Sequence, residues 1–151
     1  MELINFRGFD FFLANRNQYA SLYFNEQLKL AICKADEEYI PISYFKEMFL
    51  SVTNMIENTP IHHFIFDKSM LKTFHQPSME WYFVEWKTTM KNKGLTNHYK
   101  ILPKLDWFAK SVEAGREEIL QKYGKNIIDG IKITYVDSVE NALELIINQI
   151  Q

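Results

Sequence analysis

Residues 61–86 read IHHFIFDKSMLKTFHQPSMEWYFVEW. An apolar run from Ile61 to Phe66 closes on an acid, Asp67. A polar loop follows, and an aromatic-rich run starts at Pro77-Ser78. Short apolar runs bounded by turn residues suit buried strands. Proline is tolerated in the first turn of a helix. The stretch therefore predicts the central strand of a sheet and the helix that leaves it.

Toward the N-terminus the pattern has period two. Asp10–Asn15, Tyr19–Phe24 and Leu28–Lys34 read as strands, separated by Arg16-Asn17-Gln18 and Asn25-Glu26-Gln27. Leu28, Leu30 and Ile32 share one face, and Lys29, Ala31 and Cys33 the other, because strand side chains alternate. Breaks this short join adjacent antiparallel strands. The period then changes. Ser43 is placed to cap a helix running to about Asn58, with Phe45, Met48, Phe49, Val52, Met55 and Ile56 on one face. Pro60 stops it. A helix of this length between two strands is a crossover, which requires parallel or mixed pairing.

Toward the C-terminus, the helix from Pro77-Ser78 to about Gly94 carries Met79, Trp81, Tyr82, Phe83, Val84, Trp86 and Met90. That is wider than one stripe, so it contacts more than the sheet. His98–Leu102 reads as a strand, Asp106 to about Tyr123 as a helical region with a break near Gly115, and Ile131–Val136 as the last strand. Asp137 and Glu140 form a D-x-x-E capping box for a final helix, whose buried stripe is Val139, Ala142, Leu143, Ile146 and Ile150. The expected fold class is α/β: a single domain over residues 1–151, a mixed β-sheet with N-terminal antiparallel hairpins, and helices packed mainly on one face.

Composition narrows the function classes. A formal net charge of −2 argues against generic binding to nucleic acid, which needs a dense basic surface. The one local basic segment, Lys87, Lys91, Lys93 and Lys100 around Gly94, reads as the solvated end of a helix and its loop. Cys33 is the only cysteine, which excludes an intrachain disulfide and fits a reducing compartment. Glu2 stands where a signal peptide carries positive charge. No run approaches the roughly 18 apolar residues of a membrane helix. The expected location is cytoplasmic, with no membrane partner.

Catalytic and cofactor signatures are missing. The glycines, Gly8, Gly94, Gly115, Gly124 and Gly130, form neither G-x-G-x-x-G nor G-x-x-x-x-G-K, so no nucleotide cofactor is expected. There is no G-x-S-x-G, no H-E-x-x-H and no cysteine pair, so neither a hydrolase nucleophile nor a metal site is expected. His62 and His63, adjacent on a strand, point to opposite faces and cannot share a metal.

The candidate site residues lie in the opening stretch. Asp67 and Ser69 follow the C-terminal end of the central strand, where open α/β sheets bind ligands. His75 and Ser78 stand at the helix start. The plainer role for these residues is hydrogen bonding within the loop and helix cap. Trp81, Glu85 and Trp86 are interaction candidates, because aromatic anchors dominate interfaces, although helix aromatics also fill cores. An acid–base pair of Asp67 with His75 or His98 would need those side chains to meet.

Three passages together suggest a family. They are HFIFDKS followed by PSMEWYFVEW, the segment ILPKLDWFAKSVEAG, and the ending YVDSVENALELI. The chain resembles, over about Ile42 to Ile150, the bacterial STAS-like proteins related to anti-sigma factor antagonists, in a branch found often in Bacteroidetes. The pairs Glu80-Trp81 and Glu85-Trp86 match that branch's E-W-x-x-x-E-W helix. Asp137, Ser138, Glu140 and Ala142 match its D-S-x-x-E-A ending approximately, with Asn141 inserted. The resemblance implies a mixed sheet with helices mainly on one face, and protein interaction rather than catalysis. True antagonists carry a phosphorylatable serine in a D-S-x-G-like turn. Asp67-Lys68-Ser69-Met70 has no glycine, which puts such switching in doubt and leaves Ser69 or Ser78 as its candidates. The expected function is a non-enzymatic, cytoplasmic protein-interaction or regulatory domain of STAS-like type, with a protein partner or self-association as a homodimer. The alternative is a binding protein for a small apolar ligand in a pocket between sheet and helices.

Overall fold

The computed structural model describes residues 2–150. Seven strands form one sheet in sequence order: β1 (Leu3–Phe6), β2 (Phe9–Arg16), β3 (Ala20–Asn25), β4 (Leu30–Ala35), β5 (His63–Asp67), β6 (Asn97–Ile101) and β7 (Lys132–Tyr135). β1 to β4 pair antiparallel, and β4 to β7 pair parallel. The mixed sheet and its antiparallel N-terminal half are as expected from the alternation and the short breaks. The first hairpin, β1–β2, was not expected. Its turn is Arg7-Gly8, both with positive φ, at 52° and 87°, as a two-residue primed turn requires. Gly8 takes that conformation without a Cβ penalty. A shift of register between Leu13 and Asn15 marks a bulge in β2.

Helix α1 spans Ile42–Ile56 and lies between β4 and β5. Ser43 does not cap it, since the residue before the helix is Pro41 and there is no side-chain cap. The next helix is continuous from Gln76 to Asn92 but changes pitch: α2 (Gln76–Trp81), a π-helical turn (Tyr82–Lys87) and α3 (Thr88–Asn92). A π turn adds a residue per turn, which broadens the inward face, and it is often found at functional sites. Tyr82, Phe83, Trp86 and Lys87 are all buried there.

Helix α4 (Asp106–Tyr123) is unbroken at Gly115. Asp106 does not cap it; it sits in the first turn, where an acid is favoured by the helix dipole. Helix α5 is Val139–Ile150. Its cap is Ser138 rather than Asp137: the Ser138 Oγ accepts the Asn141 backbone N–H at 3.1 Å.

Three helical connections cover one face and α5 covers the other. Advancing across a sheet in one direction with crossovers of one hand leaves all of them on the same side. The larger core therefore joins Phe45, Phe49 and Val52 of α1, Tyr82, Phe83 and Trp86 of the second helix, and Phe108, Val112 and Ile119 of α4 to Cys33, Phe64 and Phe66 of the sheet. The smaller core joins Ile32, Ile65, Tyr99 and Ile101 to Val139, Leu143 and Ile146 of α5. Alternate residues of β5 thus go to opposite layers, which is why its apolar run shows no gaps. Among the described residues, no helix is long and apolar enough to cross a membrane.

Candidate functional site

The C-terminal edge of the parallel strands carries two depressions, separated by the pleat of β5. Phe64, Phe66 and then Lys68 follow the row under the helices, while Ile65 and Asp67 follow the row toward α5.

On the α5 side, Asp67 and Ser69 line a crevice of about 290 Å³ with Lys34, Ser138 and Glu140. Asp67 is buried and holds the loop. Its Oδ1 accepts the Ser69 backbone N–H at 3.0 Å and the Ser69 hydroxyl at 2.7 Å. Ser69 and Met70 are exposed on the rim. Lys34 stands opposite Asp67 in the β4–β5 register, and the crevice sets charges of both signs, with Asp137 and Glu140, against Ile4, Phe6 and Ile32.

On the helix side, Lys68, His75, Ser78 and Tyr82 line a cavity of about 50 Å³, whose remaining wall includes Ile40, Phe45, Phe66, Leu71, Phe74 and Phe108. Ser78 is buried. The His75 Nδ1 accepts its backbone N–H at 3.3 Å and lies 2.8 Å from its Oγ, so His75 caps the helix. Lys68 is 8% exposed, with its ammonium nitrogen 5.1 Å from the Phe66 ring centre. Burial pushes its pKa down to about 8.

Behind Tyr82 lies a feature that the basic segment in the sequence did not disclose. Lys87 and Lys100 are not solvated: they are 0% and 1% exposed. Their nitrogens sit 4.7 and 4.8 Å from the Tyr82 ring centre, and 4.3 and 4.5 Å from that of Phe83. Neither nitrogen has a hydrogen-bond partner, and neither does the Tyr82 hydroxyl. Burial holds both lysines well below the ordinary range, and the charge of Lys87 lowers Lys100 further. Lys68 and Arg116 add to that repulsion. The five ion pairs among the described residues all use other residues. His98 is buried in the same row of β6 with both ring nitrogens unpartnered, and burial keeps it neutral.

The basic segment by itself does not single out Lys87 and Lys100, since both look like ordinary surface lysines. One signal was available. Lys100 follows His98 at strand period in a run that is buried on both faces, and Lys87 follows Phe83 at helical spacing.

The interaction candidates are dispersed. Trp86 is in the core, 2% exposed, with its indole N–H donated to the Phe49 carbonyl at 2.8 Å. Trp81 is half-buried beside α1, with the Lys46 nitrogen 5.5 Å from its ring centre. Glu85 is in solvent. Trp86 therefore does not share a surface with the other two. Asp67 does not meet His75 or His98, because the pleat sends it toward α5 and them toward the helices. His62 is exposed and His63 buried. Among the described residues, no group of three metal-ligating side chains forms. Cys33 is buried, and desolvation holds its thiol well above the ordinary range, which disfavours the nucleophilic thiolate.

No protein-family model, curated protein or solved structure matches the chain.

Proposed function

We propose that the chain is a non-enzymatic regulatory domain of STAS-like type that works in the cytoplasm by docking a protein partner. The docking surface is the C-terminal edge of its parallel strands. The observation that carries this proposal is the turn at Asp67–Met70. The Asp67 carboxylate fixes it from beneath, and it presents Ser69 and a 45% exposed Met70 to solvent. A rigid turn with an exposed apolar tip lowers the ordering cost of association. Of the two serines, Ser69 is the exposed one; Ser78 is buried against His75. A phosphate on Ser69 would face the Asp67 carboxylate, and this repulsion weighs against a phosphoserine switch.

The test is cross-linking and native mass spectrometry of the chain purified gently from its source. A co-purifying protein that cross-links to residues 67–72, and is lost on Met70→Asp, supports the proposal. Cross-links confined to other surfaces, or a partner indifferent to Met70→Asp, would count against it. The second reading, a small apolar ligand, is favoured by the aromatic wall around Lys68. The volume of about 50 Å³ limits it to a ligand far smaller than the roughly 300 Å³ or more of usual pockets.

A further inference from the structure

We propose that the cavity beneath the second helix is a binding site for a short-chain carboxylate, its carboxylate on Lys68 and its hydrocarbon tail against Phe66, Phe74 and Phe108. The site shares the docking edge, since Lys68 belongs to the turn that carries it, but its lining lies on the helix side of the β5 pleat.

Three observations carry the assignment. The first is charge: Lys68, Lys87, Lys100 and Arg116 are close enough to influence one another. No hydrogen bond or ion pair joins any of the three lysines to an acid among the described residues. The second is unmet pairing. Lys68 lines the cavity and is 8% exposed, with no acid on its ammonium among the described residues, and buried polar groups are rarely left so. The Lys87 and Lys100 nitrogens stand behind it on the ring of Tyr82, sealed from the cavity. The missing complement is a negatively charged group rich in acceptors and without donors, which describes a carboxylate. The third is the wall. Most of it is aromatic and aliphatic, which suits a hydrocarbon tail and not a fully hydrated inorganic ion.

The volume sets the length. A water needs roughly 10–15 Å³ measured this way, so about 50 Å³ accepts a ligand of about three to five heavy atoms, the size of acetate or propionate. Binding needs no covalent step. The carboxylate pairs with the Lys68 ammonium, and its charge favours protonation of Lys87 and Lys100 behind Tyr82 without touching them.

The experiment is calorimetric titration of the intact chain with sodium propionate at pH 7, with propan-1-ol and inorganic phosphate as parallel probes. The expected result is saturable one-to-one binding of propionate. Propan-1-ol and phosphate should each bind at least about tenfold more weakly, a difference of about 1.4 kcal/mol. Lys68→Met should abolish binding, and Lys68→Arg should retain part of it. Lys100→Met, remote from the carboxylate, should weaken binding while the thermal transition stays cooperative, so a loss of fold is distinguishable. Propionate that does not saturate, binds Lys68→Met unchanged, or binds no better than propan-1-ol overturns the proposal. Preference for phosphate would also overturn it, since the tail would then contribute nothing.

Discussion

Lys87 and Lys100 are the residues that set this protein apart from an ordinary α/β domain. An uncharged lysine in an apolar layer gives up the hydration of its amine, and a charged one gives up far more. Replacing buried charged groups with apolar ones of similar volume is neutral to stabilising by about 1–4 kcal/mol. Lys87→Met is therefore expected to raise the denaturant midpoint without changing the slope, in contrast to most core substitutions. A lowered midpoint would mean that the lysine is already well paired in solution. Trp86→Ala is expected to do the opposite. It empties a site between Phe49, Phe64 and Tyr82 and orphans the Phe49 carbonyl. The loss should be about 3–5 kcal/mol, read as a fall in stability of the isolated chain, not as a partner-specific binding defect. Lys87, which the sequence reads as solvated, and Trp86, which it reads as in either an interface or the core, come from one helix. Its periodicity showed that the inward face was wide but not which residues at its margins were buried.

At the scale of elements, the sequence was most legible where the pattern was long. The period-two runs and the helix now assigned to Ile42–Ile56 stand close to where alternation and helical spacing put them. Punctuation was less legible. Gly115 suggested a break, yet it lies in the middle of a continuous helix for a packing reason. A Cβ there would come 3.0 Å from the Phe74 ring and 3.1 Å from the Met79 sulfur. Gly115→Ala gains about 1 kcal/mol of helix propensity but forces α4 off α2, at about 1–3 kcal/mol. Net loss of stability is expected, together with a change in near-UV circular dichroism from the aromatic layer. A stabilised variant with an unchanged spectrum would show that the two helices yield easily. The cap of α5 was misplaced by one residue, because Asp137 and Ser138 are both good caps and only the chain's entry angle chooses between them. Ser138→Ala is expected to cost about 0.5–2 kcal/mol and Asp137→Ala less, by thermal denaturation of the two variants side by side.

For the whole molecule, the buried bases predict an unusual pH profile. The Lys68 pKa is near 8 in the fold and about 10.4 when unfolded. His63, held down by burial and the neighbouring His62, is near 4 in the fold and about 6.5 unfolded. Lys87, Lys100 and His98 shift in the same direction. In each case the unfolded chain binds more protons within the window, so stability rises with pH. The histidine contribution is present above about pH 6.5 and is lost as the pH falls toward 4. The lysine contributions are complete only near pH 10.4. Tyr82, whose pKa burial raises, reverses the trend above about pH 10. The melting temperature is thus expected to climb between pH 5 and pH 9, and the Lys87→Met, Lys100→Met pair should flatten the upper half of that climb. A flat or falling curve between pH 7 and pH 9 in the parent chain would show that the lysines keep their protons in the fold.

Local chemistry is enough to determine the alternation of strands and helices, the antiparallel start and the crossovers that follow. It also places Asp67 and Ser69 at the end of the central strand, because periodicity, turn residues and prolines act over neighbouring positions. Tertiary structure alone decided which side of the sheet each crossover covers and which depression each edge residue lines. It also brought Lys68, Lys87 and Lys100 to one place. Those lysines come from a loop, a helix and a strand, and their proximity depends on how layers pack across many intervening residues. No spacing along the chain records it.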